Sequence, residues 1–172
     1  MEEELYYITE YSSILGDIKI SCDGSQNLTG LYFSNQNHYN CTNTKLIEKD
    51  NIEIFENTKN WLDKYFKGQK PDIKELPVKL SGSTFRQHIY KILCQIPYGE
   101  TSTYSEIANK IATETGIQNM SAQAIGNAVG HNPILIIIPC HRVIGKNGSL
   151  TGYAAGIEIK RKLLRLETHI LF

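Results

Sequence analysis

No stretch of this 172-residue chain approaches the roughly 20 consecutive apolar residues that a membrane-spanning helix needs. The N-terminus, Met-Glu-Glu-Glu-Leu, lacks the basic and then apolar layout of a signal peptide. A soluble cytoplasmic protein is therefore expected. Four cysteines, Cys22, Cys41, Cys94 and Cys140, show no paired spacing, which suits reduced thiols rather than a disulfide framework. Repeats and low-complexity tracts are missing. Arginine is absent before residue 80 and aspartate is absent after residue 79. The zero net charge conceals this split: residues 1–79 hold 9 Lys and Arg against 13 Asp and Glu, a net of −4, and residues 80–172 hold 9 against 5, a net of +4. One half is basic enough to meet phosphates and the other is not.

What is present divides at the same place. Leu5–Tyr11 and Ile14–Ser21 alternate in polarity around Ser12-Ser13 and predict a hairpin, with Leu28–Phe33 as a third strand. A helix fits Thr44 to Lys67, with Ile54, Phe55, Thr58, Leu62, Tyr65 and Phe66 on one side and Gly68 as a stop. Residues 69–83, with Pro71, Pro77 and Gly82, are expected to link an N-terminal domain of residues 1–79 to a C-terminal domain of residues 80–172. The expected fold is a two-domain α+β chain: a small antiparallel sheet with a helix, then a mainly helical part.

The second part opens with a helix bearing Phe85, Ile89, Ile92, Leu93 and Ile96, with Thr84 and Gln87 as a capping box and Pro97 as its end. Thr103 and Glu106 form another box before a helix to about Ala112, and Ser121 to Gly130 predicts the next. The pair makes a helix-turn-helix candidate. Its second helix, with Ala122, Ala124, Gly126, Ala128 and Gly130, is almost without bulk. It fits tight internal packing and close approach to another surface equally well. A last helix over about Ile157 to Leu166 places Leu163, Leu164 and Leu166 in the core and Lys160, Arg161, Lys162 and Arg165 on a charged side.

The most informative segment is Ile138 to Gly145, I-P-C-H-R-V-I-G. Ile134 to Ile138 reads as a buried strand, and Pro139 ends its pairing. Cys140 then sits at a pocket floor beside His141 and Arg142, whose charges are expected to pull its pKa below about 8.5. Consecutive strand side chains diverge, so a Cys–His contact needs a turn at Pro139–Cys140 or a bridging water. A cysteine by itself is more often an inert small hydrophobe.

With His131-Asn132-Pro133 upstream, Leu150 to Gly156 (L-T-G-Y-A-A-G) downstream, Phe85 to Tyr104 further upstream and Lys160 to Glu167 (K-R-K-L-L-R-L-E) at the end, the chain closely resembles the O6-alkylguanine-DNA alkyltransferases. The resemblance is strong over the C-terminal half and weak before it. It implies single-use repair, in which an alkyl group on O6-methylguanine, and on O4-methylthymine as a further substrate, passes to Cys140 without a cofactor. His141 would take the thiol proton through a water, and Glu167 would orient and charge-stabilise the imidazole. By the same resemblance Tyr104 protonates or hydrogen-bonds the leaving guanine and Asn132 braces the active-site turn. Tyr153 walls the pocket, and backbone groups near Cys140, Val143 and Ala154 recognise the base. The implied partner is double-stranded DNA, met in the minor groove by a monomer. The small-residue helix would face it with Ala122, Gln123, Ala124 and Asn127, and Arg142 is the further contact expected. Flipping the damaged nucleotide costs a few kcal/mol.

Two positions depart from the family pattern. Gln123 stands where many members carry an arginine that fills the space of the flipped base, and Ala155 stands where glycine is usual. Three other readings compete: a thiol hydrolase built on the same Cys–His pair, a damage-binding protein without chemistry, and a structural zinc site from Cys22, His38 and Cys41, whose spacing matches no strong zinc pattern.

Overall fold

The computed structural model describes residues 4–36 and 45–169, and the chain divides into two compact units, Met1–Leu80 and Ser81–Phe172. The first begins with β1 (Tyr6–Ser13) and β2 (Gly16–Asp23), paired antiparallel from Tyr6↔Asp23 to Ser13↔Gly16. The reversal falls at Ile14–Leu15 rather than at the serines. Gly16 takes a φ of 123°, a conformation that suits glycine. The Ser13 hydroxyl donates to the Gly16 carbonyl and accepts from the Leu15 amide.

β3 (Leu28–Phe33) continues antiparallel on β2. A fourth strand, β4 (Leu46–Glu48), adds parallel to the free side of β1, so the sheet runs β3-β2-β1-β4 and is mixed, not antiparallel. Leu46 and Ile47 pair with Tyr6 and Tyr7, which shortens the long helix expected from Thr44. That helix, α1 (Glu53–Phe66), starts only after the Thr9 hydroxyl has bonded the Asp50 carboxylate at 2.6 Å. It buries Ile54, Phe55, Leu62 and Tyr65, and it packs on β1 and β2. Fully burying such a side chain stabilises by about 1.5–3 kcal/mol. Trp61 stacks on Tyr65 at 5.6 Å between centroids and donates its indole N–H to the Asp72 carbonyl at 2.9 Å.

The stretch expected to be a linker is ordered against the sheet as far as Lys79. Asp72 closes a capping box on a 3-10 turn, Ile73–Glu75. Leu28 then exchanges two 2.8 Å backbone bonds with Pro77 and Lys79.

The second unit opens with α2 (Thr84–Leu93), which buries Ile89, Tyr90, Ile92 and Leu93. Its N-cap is Ser83, whose hydroxyl accepts from the Arg86 amide, while the Gln87 side chain donates to the Gly82 carbonyl. No Thr84–Gln87 box therefore forms. β5 (Ser102–Thr103) leads into α3 (Tyr104–Thr115), which opens on the Thr103–Glu106 capping box and ends at Gly116 with φ 71°. α4 (Ala122–Gly130), capped by Ser121, packs on α2 and α3. Ile125, Ala128 and Val129 face inward, while Ala122, Gln123 and Asn127 are exposed. β6 (Val143–Ile144) pairs parallel with β5, and α5 (Ile157–Thr168) closes the unit. Among the described residues no helix is long and apolar enough to cross a membrane.

Candidate active site

Residues 134–138 are buried but form no strand. They fold into a tight turn in which the Ile137 amide donates to the Leu135 carbonyl at 2.7 Å and the Ile138 amide to the Ile134 carbonyl at 3.1 Å. Ile136 at the centre takes φ 67°, a left-handed conformation unusual for a β-branched residue. Such strain costs of order 1–3 kcal/mol and persists only where the surroundings impose it. Here Asn132 imposes it. Its Oδ1 accepts from the Ile134 amide at 3.0 Å, and its Nδ2 donates to the Ile138 carbonyl at 2.8 Å and to Cys140 Sγ at 3.1 Å. One amide side chain thus satisfies the turn's backbone and touches the thiol.

Pro139 follows at φ −81°, and Cys140–Arg142 makes one 3-10 turn that turns His141 and Arg142 inward. His141 Nε2 meets Glu167 Oε1 at 2.6 Å, with both side chains fully buried. Arg142 is buried too, which removes it from the outward, DNA-facing role expected from its charge. Its guanidinium donates to Glu167 Oε2 at 2.8 Å, to Oε1 at 3.1 Å and to the Ile96 carbonyl at 2.6 Å. The Gly99 amide adds a bond to Glu167 at 3.2 Å. Burial by itself would raise the Glu167 pKa, but His141 and Arg142 outweigh it and hold the carboxyl far below the usual range.

This neutralisation changes the thiol. Burial pushes Cys140 up to about 11, against opposing pulls from Asn132, Lys160 and nearby amides. The expected low pKa is corrected: the arginine spends its charge on Glu167, and at neutral pH the resting group is a thiol. Burial also lowers the His141 pKa, with Glu167 acting against it. The resting imidazole is neutral, and if its Nε2–H donates to Glu167, Nδ1 is the basic nitrogen.

The pairing Ser102↔Val143 and Thr103↔Ile144 fastens the turn after Cys140 to the start of α3, where Tyr104 stands. The Tyr104 hydroxyl donates to the Thr151 carbonyl at 3.0 Å. Val143 is fully buried, Ala154 is exposed and Ala155 is half-buried. The Tyr153 hydroxyl is buried with no hydrogen-bond partner among the described residues. Burial raises its pKa well above the ordinary value, and the charges of Cys140 and Glu167 add to the rise. Gln123, Ala124 and Asn127 line an open cleft of about 510 Å³ with Phe85 and Arg86.

Lys160 was not expected in this site, having been assigned to the charged side of α5. It is 0 % exposed. The signal was in the helical period, which puts Lys160 on one face with Leu163, Leu164 and Glu167. His38 and Cys41 of the zinc alternative lie outside the described residues, and Cys22 is buried in β2.

Two family models together match most of the chain: residues 5–80 match the ribonuclease-like domain of 6-O-methylguanine DNA methyltransferase, and residues 84–169 match its DNA binding domain. The chain belongs to the 6-O-methylguanine DNA methyltransferase family. A methylated-DNA–protein-cysteine methyltransferase of Haemophilus influenzae is 39% identical over 163 residues, covering 95% of this chain and 86% of that protein. One of Methanosarcina mazei is 48% identical over 125 residues, 71% of this chain and 73% of that protein. The methyltransferase fold is also that of Mycobacterium tuberculosis OGT in complex with DNA, at a TM-score of 0.83 and 38% identity, covering 95% of this chain and 93% of that one.

Proposed function

We propose that this member of the methyltransferase family repairs O6-alkylguanine in DNA by moving the alkyl group onto its own Cys140, once per molecule. The observation that carries the assignment of Cys140 is its buried place between two hydrogen-bonded groups, 3.1 Å from Asn132 Nδ2 and next in the chain to the His141–Glu167 pair. The thiol is neutral at rest, so it needs a base at the moment of reaction. His141 Nδ1 takes the proton through a water, while Glu167 stabilises the imidazolium that forms. The thiolate attacks the alkyl carbon, the carbon–oxygen bond breaks, and the electron pair leaves with guanine O6. Tyr104 donates to the departing base after giving up its bond to Thr151. Tyr153 walls the base, and backbone groups of Cys140, Val143 and Ala154 read its edge. A thioether has no disulfide to exchange, so no cellular thiol regenerates the protein. A reducing, cytoplasmic compartment suits a reaction that needs a free thiol.

The test is intact-mass analysis after incubation with duplex DNA containing O6-methylguanine. One methyl group per protein, found on the Cys140 peptide, supports the reading. Repeated turnover sinks it.

Duplex DNA binds along α4 in this reading, with exposed Gln123 in the stack vacated by the flipped base. Gln123→Ala should slow repair of a duplex by about tenfold while barely changing the reaction with free O6-methylguanine, because only a duplex exacts the flipping cost. Gln123→Arg should keep the rate and steepen the log–log salt slope by about 0.9 if the cation reaches a phosphate. A duplex-to-free-base rate ratio unchanged in Gln123→Ala would move the role to another residue of the helix, Asn127 first.

A further inference from the structure

Lys160 places an amine side chain where solvent does not reach. Desolvating an ammonium is costly, and a buried lysine is normally paired with a carboxylate. Lys160 has no such partner among the described residues. Its Nζ donates to two backbone carbonyls, Thr151 at 3.0 Å and Gly152 at 3.4 Å. The Thr151 carbonyl also accepts the Tyr104 hydroxyl, so two donors hold one oxygen of the loop that leads to Tyr153. Gly152 and Gly156, at φ 53° and 93°, leave this loop dependent on such ties for its shape. The Lys160 charge favours the ionised Cys140 thiol and opposes protonation of His141. Burial lowers Lys160 itself to about 8.

Resting on the reading of Cys140 as the acceptor, we propose that Lys160 is a positioning residue for alkyl transfer, fastening the Thr151–Gly152 loop and supplying the cation beside the Cys140 thiolate. Arg142 cannot supply that cation, since its donors are committed to Glu167 and Ile96. Lys160 keeps its proton throughout, and the thiol proton goes to His141. The second tie on Thr151 explains how Tyr104 can exchange that carbonyl for an incoming base without releasing the loop.

The two roles separate with two variants of the full chain. Lys160→Gln retains amide donors for the carbonyls but no charge, and Lys160→Met, close in length, retains neither. Alkylation of Cys140 by iodoacetamide, followed by mass analysis of the Cys140 peptide, reads the thiolate without needing the base pocket. Both variants should slow it by about tenfold at neutral pH, the effect of one pKa unit on the thiolate fraction. Methyl transfer from O6-methylguanine duplex should slow in both and more in Lys160→Met, in the maximal rate rather than in DNA affinity. The parent's log alkylation rate should climb with a slope below one through pH about 8, where Lys160 loses its charge. Lys160→Met should climb with unit slope. An unpaired buried charge is itself costly, so removing it from Lys160, which has no carboxylate to strand, is expected to leave the fold intact, and melting curves verify this; Lys160→Gln carries the test should Lys160→Met fail to fold. Iodoacetamide rates equal to the parent's in a folded variant, with the parent methylated on Cys140, overturn this inference alone. A parent methylated on another cysteine overturns the reading of Cys140 and this inference with it.

Discussion

Cys140→Ser protein should stay at its unmodified mass after prolonged incubation with O6-methylguanine duplex, while binding that duplex as well as the parent. The hydroxyl keeps the shape of the site and can accept the Asn132 Nδ2 bond that Sγ now accepts, so the turn survives. A hydroxyl is nonetheless a poor nucleophile unless a base activates it, and even then is harder and less reactive than a thiolate. The other thiols cannot substitute. Cys22 and Cys94 are also raised by burial to about 11, the same as Cys140, so acidity does not single out the acceptor. Its neighbours do: Cys140 alone of the three has a side-chain amide donor on its sulfur, the charge of a buried lysine favouring its thiolate and an imidazole–carboxylate pair next in the chain. A methyl group on Cys22, Cys94 or Cys41 in the substituted protein, or catalytic turnover by the parent, would mean the acceptor is misassigned.

Glu167→Gln should lose about 3–5 kcal/mol of stability at neutral pH, the usual penalty for breaking a buried ion pair from one side, and should transfer alkyl groups more slowly. The glutamine fits the space. It cannot neutralise Arg142, which is 5 % exposed and keeps only uncharged partners among the described residues, the Ile96 carbonyl and the Tyr98 ring, nor stabilise a protonated His141. The pH dependence carries its own sign. The folded Glu167 pKa is depressed, so its contribution is fully present above the unfolded value of about 4.3 and disappears as pH falls toward the folded one. The lowered His141 pKa works in the same direction, contributing above about 6.5 and fading as the pH drops. Urea unfolding of parent and variant at neutral pH and near pH 3.5 should therefore show a gap that narrows in acid. Equal stability at neutral pH would show that Arg142 and His141 do not depend on this carboxylate.

The sequence by itself determined the features whose causes lie within a few residues along the chain. The Thr103–Glu106 capping box, the stop at Gly116 and the apolar stripes of α1 and α2 follow from side chains three or four positions apart. Asn132, Cys140, His141 and Glu167 were legible as a group through the family pattern, and the structure buries all four, bonding Asn132 to Cys140 and His141 to Glu167. Tertiary structure decided where the charges point. Arg142 looked like a partner for Cys140 or a phosphate until Glu167, 25 residues on, and Ile96, 46 residues back, claimed its donors. The Cys140 thiol was raised, not lowered, because the folded chain buries it. The parallel strand β4 and the buried turn at 134–138 also escaped sequence reading, because strand direction depends on distant partners, here Tyr6 and Tyr7, and because an apolar run reads the same whether it pairs as a strand or is bonded into a turn by the Asn132 amide. Lys160 shows the limit most plainly: helical period assigns its face, but only the packed chain shows that this face is closed to water. Local hydrogen bonding acts over one helical turn, whereas desolvation is a property of everything folded around a group.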